Sequence, residues 1–297
     1  MLDLDLNRPG PTPRDSATLI VVRASRGSDG GIEIFCVERH KTGFLGGAVV
    51  FPGGKLDASD LDPAWESCAT AALATMRERG APIADDPATR RGLAVAACRE
   101  ALEEAAILPV DGVPPSHAEL LACRAEMARD PGALRTMLVS RGLRLDLASL
   151  HPLARWITPV AESRRFDTRF FVFVSSGDVT GAHDDHETTA SFWASPADVL
   201  ARYEAGALVL APPTHRTLQV LSTARDTAEA IAIASRSCLD PICPRAIRQR
   251  DAAGETVAIV LPGDPEHEVR VPRVPGPSRY VLRDGRFVSE EAPDGRP

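Results

Sequence analysis

Arg99-Glu100-Ala101-Leu102-Glu103-Glu104-Ala105-Ala106-Ile107 places three carboxylates at spacings of three and four. At 3.6 residues per turn they share an arc of roughly 100° on one helix face. Val95, Cys98, Ala101, Leu102 and Ala105 occupy the opposite arc and read as its buried side. Carboxylates four apart repel one another by a few tenths of a kcal/mol per pair. A helix that gathers three of them calls for a counter-charge. A hard divalent cation supplies one, because Mg²⁺ prefers oxygen ligands and bridges a few carboxylates to substrate phosphates. Arg99 can brace Glu103 from the flank of the helix. The plain alternative is a solvated charged face.

Upstream, Ala48-Val49-Val50-Phe51 runs into Pro52-Gly53-Gly54-Lys55-Leu56-Asp57, an apolar strand ending in a tight turn. Glycines in such a turn let the backbone approach a ligand closely. Taken together, the two segments resemble the Nudix box. Gly54 matches its first glycine, and Asp60 falls where its first glutamate belongs. Arg99, Glu100, Glu103, Glu104 and Ile107 match its second half, with Ala106 in place of a glycine. Gly54 and Arg99 lie 45 positions apart, several times the interval in an uninterrupted box, so the box carries an insertion. A similar insertion after a Gly-Gly-x-Leu-Asp turn occurs in Nudix proteins that resemble coenzyme A and acyl-coenzyme A diphosphatases. Trp156-Ile157-Thr158-Pro159, the run from Arg165 to Phe171, Trp193 with Ser195-Pro196, and Leu210-Ala211-Pro212-Pro213-Thr214 are also similar to that branch.

The resemblance implies an α/β fold, the Nudix-type α/β/α sandwich around a mixed β-sheet. A helical insertion of about residues 61–86 interrupts the box, and a β-rich C-terminal tail follows. The expected division is a flexible N-terminus over 1–14, a Nudix hydrolase domain over 15–236 and an appendage over 237–297. The tail either completes a sheet edge or makes a homodimer contact.

The implied activity is hydrolysis of a diphosphate linkage with Mg²⁺ or Mn²⁺ as cofactor. The metal ligands would be Glu100, Glu103 and Glu104, with Glu103 and Glu104 the central pair and the Gly53 carbonyl completing the shell; Asp60 would act at a distance. Glu187, in the acidic stretch Asp184-Asp185-His186-Glu187, is the candidate general base or extra metal ligand. Arg23, Arg39, Arg165 and Arg169 are the candidate phosphate contacts, since arginine forks match phosphate oxygens. Trp156 and Phe170 read as core rather than as a base-stacking platform, and His183 with His186 as surface residues. Coenzyme A or an acyl derivative is the expected substrate. ADP-ribose, dinucleotides and nucleotide sugars are the alternatives within the enzyme class, and a non-catalytic nucleotide sensor is the alternative outside it.

The remaining elements follow from pattern. Thr18 to Val22 and Ile32 to Glu38 read as strands across a Gly-rich turn. Helices are expected from Ala64 to Arg79, from Pro87 to just before Pro109, over Ser116 to Arg129 and Pro131 to Ser140, and three more between Pro196 and Ser235. Asp284-Gly285 between two short strands is a hairpin turn. Among 297 residues, 44% are apolar and 25% charged, and the net charge is −7. That balance suits a globular chain and argues against a general nucleic-acid or anionic-membrane surface. No apolar run reaches the ~18 residues of a membrane span. The six cysteines form no Cys-x-x-Cys pair, and the expected compartment is the cytoplasm.

Overall fold

In the computed structural model, residues 10–27, 30–41, 46–70, 83–175, 179–251 and 254–293 are described. A mixed eight-stranded sheet forms the centre. Its main path runs, in order, Val209–Leu210 (β10), Ala48–Val50 (β3), Ile32–Arg39 (β2), Arg14–Ala24 (β1), Phe166–Val174 (β8) and His151–Ile157 (β7). Gly53–Lys55 (β4) pairs with β1, and Thr188–Ala194 (β9) with β2. Along β1, Val22 to Ala24 pair with β2 while Ser16 to Thr18 pair with β4. The sheet therefore splits at β1, and the split leads the Pro52-Gly53-Gly54 corner into the molecule. On its other edge β1 runs parallel to β8, from Arg14 beside Phe166 to Val22 beside Val174.

Both faces of β1 are covered. Ala17, Leu19 and Val21 enter one core and Ile20 and Val22 the other, each fully buried. β2 alternates likewise, Phe35 and Val37 against Ile34 and Cys36. Strands with helices on both sides read as nearly continuous apolar runs for this reason. Helix Pro87–Ala105 (α2) covers the first face, with Val95, Cys98, Ala101, Leu102 and Ala105 at 0% exposure. Helices Pro196–Glu204 (α5), Pro212–Leu221 (α6) and Thr227–Arg236 (α7) cover the second. The sandwich is thus the expected one.

Asp86 caps α2 by accepting a hydrogen bond from the Thr89 amide at 2.8 Å, and Pro87 takes the first turn, where its missing N–H costs nothing. Ala106 ends the helix in the left-handed region, at φ 51°, so the chain leaves earlier than the expected stop before Pro109. The expected helix from Ala64 to Arg79 is corrected to Trp65–Cys68 (α1). Ala69 is extended and the Thr70 amide donates to the Leu145 carbonyl at 2.9 Å, so sheet-like pairing takes over the backbone. The rest of that expected helix, 71–82, lies outside the described residues.

Helices His117–Met127 (α3) and Ala133–Ser140 (α4) form a pair beside the short ladder of Val110–Asp111 (β5) and Arg144–Leu145 (β6). The C-terminal segment holds a four-stranded antiparallel sheet of Arg245–Asp251 (β11), Gly254–Val260 (β12), Arg279–Arg283 (β13) and Arg286–Glu290 (β14). Pattern reading missed β11, whose arginine-rich sequence carries little apolar alternation. Asp284 and Gly285, both at positive φ, make the expected hairpin turn. Ile259, Leu261 and Tyr280 join the core cluster of Ile20 and Leu218, so this sheet is packed onto the main one.

All six cysteines are free thiols. Burial pushes the Cys36 thiol up to about 12, which makes it a small hydrophobe. No helix among the described residues is long and apolar enough to cross a membrane.

Candidate active site

Burying the apolar face of α2 on β1 turns Glu100, Glu103 and Glu104 toward the corner between β3 and β4. The Gly53 amide donates to Glu104 Oε2 at 3.0 Å, joining positions 51 apart in sequence. Space requires the glycine at 53. A Cβ at 53 would stand 2.6 Å from the Ala17 carbonyl and 2.8 Å from Thr18 Cα, both backbone atoms. One at 54 would overlap the Glu100 carboxylate.

Arg99 organises the acidic side. Its Nε and Nη2 donate to Asp60 Oδ1 and Oδ2 at 2.9 and 3.0 Å, and Nη2 also to the Lys55 carbonyl at 2.9 Å. Nη1 donates to Glu100 Oε1 at 3.0 Å and Glu103 Oε2 at 2.8 Å. Asp60 is 1% exposed and accepts from the Asp57 amide as well. The box is thereby closed from the side: its first and second halves meet through one guanidinium, and the inserted residues leave between Asp60 and α2.

One guanidinium does not balance these carboxylates. Desolvation pushes Glu104 up to about 8, with Arg39 opposing and Glu100 adding to the rise. Desolvation pushes Glu100 up to about 7 against the pull of Arg99, and raises Glu103 as well. Glu104 is 2% exposed, and its Oε1 has no hydrogen-bond partner among the described residues; Arg39 Nη1 is its nearest cation, at 3.9 Å. A buried carboxylate oxygen without a partner costs several kcal/mol unless a cation meets it. The donor set, hard oxygens only, fits a divalent ion of the Mg²⁺ type. Among the described residues no three acidic, imidazole or thiolate groups already converge as a cage, because Arg99 holds one oxygen each of Glu100 and Glu103.

A cavity of about 550 Å³ opens over this patch. Glu100, Glu103, Glu187, Arg39, Lys55 and Arg164 are among its polar lining residues; Glu104, 2% exposed, is not. Glu187 reaches it from the loop before β9, with Oε2 3.6 Å from Arg39 Nη2 and a side chain that is 66% exposed. Of the sequence-derived candidates, the structure therefore assembles Gly53, Glu100, Glu103, Glu104, Glu187 and Arg39.

It does not place Arg23, Arg165 or Arg169 in the cavity lining. Arg23 pairs with Glu33, Nε to Oε2 at 2.8 Å, and lies over the Trp193 ring at 4.0 Å. Arg165 donates to the Thr158 and Pro11 carbonyls at 3.0 and 2.9 Å. Arg169, 5% exposed, is locked between Asp15, Asp167 and the Ile83 carbonyl. The loop before β8 instead presents Arg164, one position away, and the β4 exit presents Lys55. Adjacent arginines point differently, and local sequence carried no signal of which one faces inward. His183 bonds Ser191 and Asp185.

A family model described as the NUDT19 Nudix domain matches residues 14–221. The acyl-coenzyme A diphosphatase NUDT19 of Gallus gallus is 25% identical over 305 residues, which span 88% of this chain and 79% of that protein. Its Homo sapiens counterpart is 26% identical over 257 residues, 69% of this chain and 68% of that one. Among solved structures, a NUDIX hydrolase from Alicyclobacillus acidocaldarius is 32% identical, with a TM-score of 0.60, over 74% of this chain and 96% of the other.

Proposed function

This chain belongs to the Nudix hydrolase family, and from that premise we propose that it hydrolyses the diphosphate bond of coenzyme A and acyl-coenzyme A, giving 3′,5′-ADP and (acyl-)4′-phosphopantetheine. The observation that carries this reading is the bond from the Gly53 amide to Glu104 across the corner, with Arg99 and Asp60 joining the two halves of the box beside one cavity. The substrate rests on the names of the NUDT19 relatives.

Glu100, Glu103 and Glu104 would hold Mg²⁺ or Mn²⁺, and the Gly53 carbonyl borders them. Such an ion polarises the phosphoryl oxygens and lowers the pKa of a bound water. Gly53 and Gly54 keep the corner free of side chains, so the diphosphate can lie against backbone. Arg39, Lys55 and Arg164 neutralise its charge from the cavity wall. Glu187, at the rim, accepts the proton of the attacking water. The water oxygen bonds to one phosphorus, the bridging P–O bond breaks, and the electron pair leaves on the oxygen of the other phosphate.

The test is a panel of coenzyme A, acetyl- and longer acyl-coenzyme A, ADP-ribose, a diadenosine polyphosphate and a nucleotide sugar with Mg²⁺ or Mn²⁺, products separated by chromatography. Appearance of 3′,5′-ADP, with Glu103→Gln folded but slower in kcat by orders of magnitude, is expected. Brisk ADP-ribose turnover without any from coenzyme A would reject the substrate, and unchanged turnover in the variant would reject the ligand assignment.

A further inference from the structure

The register of the central sheet fixes how far the lining residues of the cavity stand from the glycine corner. Gly53 pairs with Thr18 and Thr18 with Phe170; Lys55 pairs with Ser16 and Ser16 with Thr168; Arg14 pairs with Phe166. Paired residues on neighbouring strands share a face, and all of these but Arg14 line the cavity. They form three rows, each two residues from the next. Lys55 stays within one row of Gly53. Phe166 is two rows and two strands away, on the order of 15 Å at about 3.3 Å per residue and about 4.8 Å per strand. Arg164 precedes Phe166 by two positions, in the loop entering β8.

The cations of the cavity divide in the same way. Arg99 is committed to Asp60, Glu100 and Glu103, and Arg39 stands between Glu104 and Glu187. Lys55 and Arg164 line the cavity, are exposed, and have no acidic partner among the described residues. Lys55 therefore offers its charge near the corner, and Arg164 offers its own at the far end of the rows.

The backbone that carries Arg164 is fixed. The Thr158 amide donates to the Phe166 carbonyl at 2.9 Å, and the Phe166 amide to Thr158 Oγ1 at 3.0 Å. Arg165 donates to the Thr158 and Pro11 carbonyls, and its own carbonyl accepts from the Arg14 amide at 3.0 Å. Arg165 thus ties the loop to both neighbouring strands, and the adjacent arginine is presented from a held position. A cation so placed loses little on meeting an anion.

One diphosphate cannot occupy both poles. Its oxygens belong at the corner, beside the carboxylates that would hold the metal, and more than an arginine's length separates that corner from the loop. A second anionic group, set off from the diphosphate by a sugar ring, is what the Arg164 guanidinium would meet, and its planar fork suits a phosphate monoester. On the coenzyme A reading above, we propose that Arg164 is the specificity residue for the 3′-phosphate of the substrate, the group that ADP-ribose and diadenosine polyphosphates lack.

The experiment uses the full chain carrying Arg164→Ala, Arg164→Lys or Lys55→Ala, with folding verified by circular dichroism and thermal unfolding. kcat/KM is measured for coenzyme A and for 3′-dephospho-coenzyme A. In parallel, 3′,5′-ADP and 5′-AMP are titrated in EDTA, which gives a Kd for each without turnover. The wild-type chain should bind 3′,5′-ADP about 10- to 100-fold more tightly than 5′-AMP, the worth of a charge-assisted pair. Arg164→Ala should slow both substrates but lower the coenzyme A to dephospho-coenzyme A ratio at least about tenfold, and bring the two nucleotide affinities together. Arg164→Lys should restore part of both preferences, because it keeps the charge without the fork. Lys55→Ala should slow the two substrates alike. Equal losses on both substrates in Arg164→Ala, or a preference that disappears in Lys55→Ala instead, would overturn the assignment while coenzyme A turnover kept the wider reading intact. A wild-type chain inert toward coenzyme A would take down both.

Discussion

Glu104→Gln should stabilise the metal-free protein while abolishing its activity. The Glu104 carboxylate is 2% exposed, accepts one hydrogen bond from Gly53, and leaves Oε1 unpaired. Burial raises it from 4.5 to about 8, so at pH 7 the folded state must take up a proton that the unfolded chain releases. At about 1.4 kcal/mol per tenfold, that cost is about 3 kcal/mol at pH 7 and about 4 kcal/mol at pH 8. The sign follows from the raised value. The penalty is absent below pH 4.5, grows as pH rises, and is complete above pH 8.

Glutamine keeps the bond from Gly53 and removes the charge. At about 2–4 °C per kcal/mol for a chain of this size, the variant should unfold about 8–16 °C higher than wild type in EDTA at pH 8, and at the same temperature near pH 4.5. Adding Mg²⁺ or Mn²⁺ should raise the wild-type transition by linkage and leave the variant almost unmoved. Calorimetry in EDTA and in metal at both pH values reads all four quantities. A variant that melts lower than wild type in EDTA at pH 8, yet gains the full metal increment, would refute the reasoning. Its carboxylate would then be satisfied by the fold and have no part in holding a cation.

Two further perturbations separate the corner from the clamp. Gly54→Ala places a methyl against the Glu100 carboxylate, the far end of a flexible side chain, so stability should change by less than about 1 kcal/mol. The apparent Kd for Mg²⁺ should rise about tenfold or more, read by calorimetric titration; an unchanged Kd would remove Glu100 from the ligand set. Asp60→Asn breaks the two-bonded pair with Arg99, whose partner is 1% exposed, and should cost about 3–5 kcal/mol in urea unfolding, as loss of one member of a buried ion pair does. A loss below about 1 kcal/mol would show that Glu100 and Glu103 satisfy Arg99 unaided.

The local grammar of the chain was legible without the fold. The period of α2 identified both its buried face and its acidic face, because neighbours three and four apart share a side whatever the rest of the protein does. The alternation in β1 and β2, the Gly-Gly corner and the Asp284-Gly285 hairpin are equally local, each set by sterics within a few residues. Glu187 was a candidate from its acidic stretch, and Arg39 from the match of an arginine fork to phosphate oxygens.

What only the tertiary structure decided were the long-range pairings. Arg99 meets Asp60 across 39 positions because β4 is drawn against β1 and α2 is pressed onto the same strand; sequence spacing contains neither movement. Arg164 rather than Arg165 or Arg169 reaches the cavity because buried aspartate and backbone carbonyls capture the other two. Pro244 and Ile259 join the cavity because edge pairing at Ile242 carries a distant segment back onto β7. Periodicity is a property of adjacent residues, whereas the choice of partner for a charge or an apolar face depends on everything else that must be buried at once.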